Sequence, residues 1–223
     1  MKNKILVIVA HPDDEVLGVG GTILKHIHDG DEVDILILGD GETSRDSGTD
    51  IHKREEQARN ASKVMGVKNI FLEKYLDNQF DTIPLLTIIK KIESVLEEVK
   101  PSIIYTHYYN DLNIDHCLVS RAVVTACRPN ILSGIKKILV FETPSSTEWQ
   151  IKDQSHIFCP TEYNNIADFI DKKLDILKIY KDELADYPHP RSIEGIKILA
   201  QYRALESGFK YAEAFQLIRS LHN

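Results

Sequence analysis

Residues 5–21 read ILVIVAHPDDEVLGVGG, and the fold turns on how this stretch is read. The apolar run Ile5 to Ala10 is short and rich in β-branched residues. That is the pattern of a strand buried on both faces of a parallel sheet. It breaks at once into His11-Pro12-Asp13-Asp14-Glu15, one imidazole and three carboxylates within five residues. Such a cluster cannot enter a core without a partner for its charge. Pro12 has no N–H for a ladder and disfavours helical backbone at His11, so the strand ends there. Gly18, Gly20 and Gly21 then permit a tight turn or close packing as a helix begins. The polar cluster therefore belongs at the carboxyl end of a first strand, the edge where open α/β sheets bind ligands. A cation is its simplest partner, and a His/Asp ligand set suits Zn²⁺ or Fe²⁺. The plain alternative is a surface turn in which an Asp caps the helix.

The same alternation continues outward. Helices are expected over residues 15–29, 51–65, 84–99 and 116–127, and strands over Val33–Leu38, Asn69–Leu72, Ile103–Thr106 and Lys137–Thr143. Five strands alternating with helices imply an α/β, Rossmann-like three-layer fold with a mostly parallel sheet. Each strand exits into a polar loop, so the site is expected at the carboxyl ends of the strands. Ser47–Asp50 would lengthen the second of these loops into a cover. Beyond Ser146 a strand is expected over Ile157–Cys159, helices over 164–182 and 192–206, and a closing strand or helix over Ala212–Ile218. Tyr187-Pro188-His189-Pro190-Arg191-Ser192 forms a turn between the two helices that could swing over the site. The whole length, 1–223, is read as a single domain.

Composition narrows the function. A net charge of −7 argues against a general nucleic-acid binder or a binder of anionic membranes. No apolar run reaches about 18 residues, so no membrane span is expected. Two lysines precede the first apolar run, but it is too short for a signal peptide and has no cleavage segment. The three cysteines, Cys117, Cys127 and Cys159, lack CxxC spacing, which fits a reducing, cytoplasmic location.

The fourth strand leads into a second polar cluster. His107, Asp111, Asn113, Asp115 and His116 lie within ten residues, on the same sheet edge as His11 and Asp14. Two histidines and one carboxylate would make a three-ligand site with a position open for water. A nearby carboxylate could take the proton of that water. His26 and His28, on the first helix, are expected to face solvent.

These motifs resemble the LmbE-like, or PIG-L, family of metal-dependent N-acetylglucosamine deacetylases. The likeness is carried by Ala10-His11-Pro12-Asp13-Asp14-Glu15 with Gly20-Gly21, and by Thr106-His107 with Asp111 to His116. Asp40-Gly41-Glu42, Arg54-Glu55-Glu56, Pro190-Arg191-Ser192 and Tyr211 to Phe215 also fit. The resemblance implies that His11, Asp14 and His116 bind Zn²⁺ (Fe²⁺ as the alternative) and that Asp13 is the general base. It further implies that Arg54 and Asp77 contact the sugar. The substrate would be a small N-acetylated amino sugar or glycoconjugate, in sugar or polysaccharide biosynthesis; no nucleic acid is implied, and a homo-oligomer is admitted. One position departs from the pattern. Several members carry a histidine three residues before the metal-binding one, and here it is Asn113, which can donate a hydrogen bond but supply no proton. Either Asp13 also acts as the acid or another histidine does, His189 being the candidate with His107 second, and Arg191 beside it could hold a phosphate or carboxylate. Three rivals remain: an amidase on a sugar–thiol conjugate or other acylated amine, a nucleotide-binding module, and a degenerate ligand-binding protein. The nucleotide reading lacks any G-x-G-x-x-G or Walker pattern.

Overall fold

The computed structural model describes residues 2–44, 51–129, 134–153 and 156–222, with only the backbone of Ile51. The Ser47–Asp50 cover lies outside the described residues. The chain runs β1 (Lys4–Val9), α1 (Asp14–His28), β2 (Glu32–Gly39), α2 (Ile51–Met65), β3 (Asn69–Tyr75), α3 (Leu85–Val99), β4 (Ile103–His107), α4 (Ile114–Ala126) and β5 (Lys137–Phe141). It continues through β6 (Glu162–Asn165), α5 (Ile170–Leu177), α6 (Ile193–Leu205) and β7 (Ala212–Ser220). Among the described residues the strands form one seven-stranded sheet in the order β3-β2-β1-β4-β5-β7-β6.

β1 is central because its apolar run can be buried on both faces. Val7 pairs with Ile35 of β2 on one side and Tyr105 of β4 on the other, both in parallel. Its side chains alternate between two cores. Ile5, Val7 and Val9 join Val16, Val19 and Ile23 of α1, while Leu6, Ile8 and Ala10 join Ile88, Ile92 and Val119 of α3 and α4. The connections turn one way from β1 to β2 and β3, and the other way to β4 and β5. The carboxyl ends of β1 and β4 therefore flank the point where strand order reverses, the position at which such sheets open a crevice.

The far edge of the sheet departs from the sequence reading. No strand forms over Ile157–Cys159; Phe158 instead packs in a small cluster with Tyr108 and Val140. The strand there is β6, Glu-Tyr-Asn-Asn, which pairs with β7 alone and stays half-exposed. An edge strand needs no apolar pattern, so its sequence gives no periodic signal. Because Asn164 and Asn165 belong to β6, the helix expected from 164 begins at Ile170 and passes into a 3₁₀ segment, Lys178–Glu183, bent at Tyr180. The closing element is a strand, β7, antiparallel to both β5 and β6. His26 does not face solvent freely; its ring bridges Asp31 at 2.8 Å and the Tyr105 hydroxyl at 3.0 Å.

Gly18, Gly20 and Gly21 lie inside α1 rather than at a turn. A Cβ on Gly18 would meet the Phe141 ring at 2.1 Å, and one on Gly21 would meet Ile166 at 2.8 Å. Glu213 of β7 accepts the N–H groups of Gly21 and Thr22 at 2.8 and 2.7 Å. Lys173 of α5 donates to the Leu17 carbonyl at 2.8 Å and to Glu213 at 2.6 Å. This buried ion pair is thus inserted along α1, tying the C-terminal elements to the helix that begins at Asp14.

Candidate functional site

The site forms where β1 and β4 end. Donor atoms of His11, Asp14 and His116 lie within 4.8 Å of one another, and all three side chains are buried. The histidine rings are fixed by their outer nitrogens. His116 Nδ1 lies 3.2 Å from Asp111, which also accepts from the hydroxyls of Ser146 and Thr147. His11 Nε2 lies 3.0 Å from Asp115 and 3.0 Å from Asp77. Asp115 is held in turn by the N–H groups of Asn78 at 2.7 Å and Phe80 at 3.0 Å. A ring proton on the outer nitrogen leaves a lone pair on the inner one, the arrangement of a carboxylate–histidine–metal unit.

The donor set has the signature of a cation site. Asp14 Oδ1 and His116 Nε2 are buried and make no hydrogen bond, although Nε2 lies 3.3 Å from the other Asp14 oxygen. Orphaned buried polar atoms are costly, and two in one cluster mark a missing partner. A two-nitrogen, one-oxygen set fits a catalytic Zn²⁺ or Fe²⁺ site. Burial alone would raise Asp14, but His116 and His107 outweigh it and hold the carboxylate well below its usual range. Burial alone would lower His116, but Asp14 and Asp111 push it up to about 9.

His107 stands behind the triad. Its ring stacks on His116 at 3.9 Å, and Nε2 accepts the Ala10 N–H at 2.9 Å. Burial and the neighbouring His116 depress it to about 3, so it is a neutral acceptor that joins β4 to β1.

Asp13 sits beside the triad on a strained backbone, with φ 119° and ψ −30°. A non-glycine residue at this φ costs of order 1–3 kcal/mol and persists only where its surroundings fix it. Here its carbonyl accepts from Val16 and Leu17 at 2.9 Å each, while its N–H donates to Glu15 at 3.0 Å. The other Glu15 oxygen accepts from the Tyr180 hydroxyl at 2.7 Å. Burial lifts Glu15 to about 8 and Asp13 to about 7, the latter against the opposing pull of Arg191.

Arg191 closes the far side. Its Nη1 lies 2.9 Å from Asp13 and 3.4 Å from Glu183, while Nε donates to Ser145 Oγ at 2.7 Å and to the Pro144 carbonyl at 3.3 Å. Arg54 is buried beneath, with Glu42 and Glu183 on its fork and Nη1 unpartnered. Asn113 caps α4 by accepting from Asp115 N–H at 2.9 Å, and it donates to Asn78 at 3.0 Å. His189 accepts the Arg191 N–H on Nδ1 at 3.1 Å and meets Trp149 edge-on, and it makes no hydrogen bond to the triad among the described residues. Of the candidates read from the sequence, the structure brings together His11, Asp13, Asp14, Asp77, His116 and Arg191. It did not find the Glu15–Tyr180 pair. Glu15 stood in the opening motif with no role, and nothing in the local pattern of Tyr180 points 165 residues back.

Known proteins resemble this chain in sequence and in fold. Residues 6–127, more than half of the chain, match the family model PIG-L, described as GlcNAc-PI de-N-acetylase. A Bacillus cereus protein named "Probable N-acetyl-alpha-D-glucosaminyl L-malate deacetylase 2" is 27% identical over 192 residues, covering 82% of this chain and 84% of that one. The N,N'-diacetylchitobiose deacetylase from Pyrococcus horikoshii superposes with a TM-score of 0.78 at 20% identity, covering 97% of this chain and 84% of the other. A 4-carboxy-2-hydroxymuconate hydratase from Pseudomonas putida has the same fold, with a TM-score of 0.76 at 20% identity over 100% of this chain and 99% of that one.

Proposed function

The chain belongs to the PIG-L family, and on that premise we propose that it is a metal-dependent N-deacetylase acting on an N-acetylated amino sugar or glycoconjugate. The observation that carries this reading is the buried pair of orphaned atoms, Asp14 Oδ1 and His116 Nε2, facing His11 with Asp13 alongside. His11, Asp14 and His116 would hold Zn²⁺, with Fe²⁺ as the alternative. Held by these three residues, the metal would supply Lewis acidity to the amide carbonyl and to a water.

The remaining work falls to the chain's own side chains. Asp13 takes the proton of the attacking water, and its near-neutral pKa suits a general base. Arg191 orients the Asp13 carboxylate and supplies positive charge where the carbonyl oxygen becomes negative. Asp77, 3.0 Å from His11, and Arg54, whose buried Nη1 is a donor without a partner, are the candidates for contact with the sugar. Asn113 cannot donate a proton to the departing amine. Asp13 can return the proton it took, and His189 is the second candidate, since its Nδ1 accepts from Arg191 and leaves the proton on Nε2. The site draws on both ends of the sequence, so residues 1–223 work as one catalytic unit.

The test is acetate release from a panel of N-acetylated sugars by the metal-loaded protein. Turnover that needs metal and collapses in Asp13→Ala supports the reading. Stoichiometric metal with no acetate from any sugar would reject it. A second reading follows from the hydratase of the same fold: water added across a carbon–carbon double bond. It would be favoured if the panel failed while an unsaturated carboxylic acid lost its ultraviolet absorbance.

A further inference from the structure

A second cavity, of about 230 Å³, opens beyond β5. Glu142, Pro144 and Glu148 line it from the segment after β5, and Pro190, Ile198 and Tyr202 from the loop and helix of α6. Its two acids already have donors. Arg203 grips Glu142 through Nε at 2.6 Å and Nη2 at 2.7 Å. Glu148 accepts the N–H groups of Ser145 at 2.6 Å and Ser146 at 3.2 Å. What the cavity offers a ligand is therefore the faces of two prolines, Ile198 and the Tyr202 ring. Ile198 and Tyr202 are large apolar groups left 44% and 53% exposed at its mouth.

The cavity borders the candidate site at Arg191. One guanidinium, that of Arg191, binds Asp13 at 2.9 Å and the Pro144 carbonyl at 3.3 Å. Pro144 and Pro190, one on each side of that contact, form the cavity wall. We propose that this cavity is a subsite for an uncharged ring carried by the amino sugar as its aglycone. The inference rests on the deacetylase reading above and adds to it a class of substrate.

Size and chemistry select that occupant. A cavity of about 150 Å³ holds a benzene ring, so this one admits a phenyl group with its linking atom. No metal ligand reaches the cavity, and Arg191 stands between it and Asp13. An acetyl methyl bound at the triad is too short to span that distance. The group that arrives must be attached several atoms from the scissile amide, as a substituent on C1 of the sugar is. A charged aglycone would meet no free counter-charge on the wall and would lose its hydration. A flat ring would stack on Tyr202 and the prolines.

The test compares phenyl N-acetyl-β-glucosaminide with free N-acetylglucosamine, using the full chain loaded with Zn²⁺. Phenyl β-glucoside, which has no acetamide, is titrated in parallel against the fluorescence of Trp149, the single tryptophan, which follows Glu148 of the wall. We expect kcat/KM about tenfold higher for the phenyl substrate, mostly through KM. Tyr202→Ala and Ile198→Glu, both at exposed positions, should erase that advantage, abolish the fluorescence change and leave turnover of free N-acetylglucosamine as it was. Turnover of both sugars at equal efficiency overturns the subsite and leaves the deacetylase reading standing. A fluorescence change lost in Tyr202→Ala, with no sugar deacetylated, keeps the subsite and overturns the deacetylase reading. A Tyr202-dependent preference for N-butanoyl over N-acetyl glucosamine, without a phenyl effect, assigns the cavity to the acyl chain and overturns the aglycone assignment.

Discussion

The two ends of the chain contribute to the site in different ways. β1, α1, β4 and α4 supply the inner atoms: His11 and Asp14 from one turn, His116 from the other. The C-terminal elements supply what surrounds them. Tyr180 reaches Glu15, Arg191 reaches Asp13, and Lys173 with Glu213 enters the side of α1. The first region is a set of candidate ligands placed by two short strand-to-helix turns. The second is a brace that decides where those ligands and Asp13 point. Ligation should therefore survive damage to the brace, while rate and stability should not.

The largest effect separates the regions most sharply. Asp13→Ala should lower kcat by about 10²–10⁴-fold, the usual worth of a general base, with metal content unchanged; kinetics beside metal analysis checks this. A comparable loss accompanied by loss of metal would place Asp13 among the ligands instead. Next is the brace on α1. Lys173→Met leaves Glu213 buried at 5% side-chain exposure without its cation. Breaking a buried pair from one side costs about 3–5 kcal/mol, which denaturant unfolding would read directly. An unchanged midpoint would show that the C-terminal elements do not hold α1.

Tyr180→Phe removes one hydrogen bond to Glu15, two residues from Asp13, and touches no ligand. A fall in kcat of about tenfold, with KM and bound metal kept, is expected from a looser Asp13. Equal loss in kcat and in metal would move the pair into the ligand-holding region. The smallest effect is a shift in pH. Burial raises Asp13 to about 7 and Arg191 opposes it. The base acts deprotonated, so activity rises as pH passes upward through its pKa. Arg191→Met removes a cation that favours the carboxylate, so the acid limb should move to higher pH. A limb that stays in place or moves to lower pH contradicts the contact.

Much of the first region was legible in the sequence. A β-branched run ending in His-Pro-Asp-Asp-Glu specifies both a buried strand and a charged exit, because neither part can exchange places with the other. The mostly parallel sheet follows from the same alternation, while its strand order does not. The second region was legible only in part. β6 has no apolar face to announce it, since it pairs on one side alone. Nothing in the local pattern marks Lys173 or Glu213 as buried; both are covered where α5 and β7 pack on α1, with Lys173 against Gly20 and Glu213 on the Gly21 N–H. Arg191 was readable as a candidate by its motif, whereas its target, Asp13, is 178 residues away. Long-range contacts between polar residues leave no periodic trace.

The central claim is that His11, Asp14 and His116 hold a metal which Asp13 and the brace then use. Its most direct measurement is the zinc stoichiometry of the dialysed protein and of three variants: His116→Ala, Asp14→Asn and Asp13→Asn. The account predicts about one zinc per chain in the parent and in Asp13→Asn, and none in the two triad variants. Zinc retained by both triad variants, or absent from the parent after reconstitution, would contradict it.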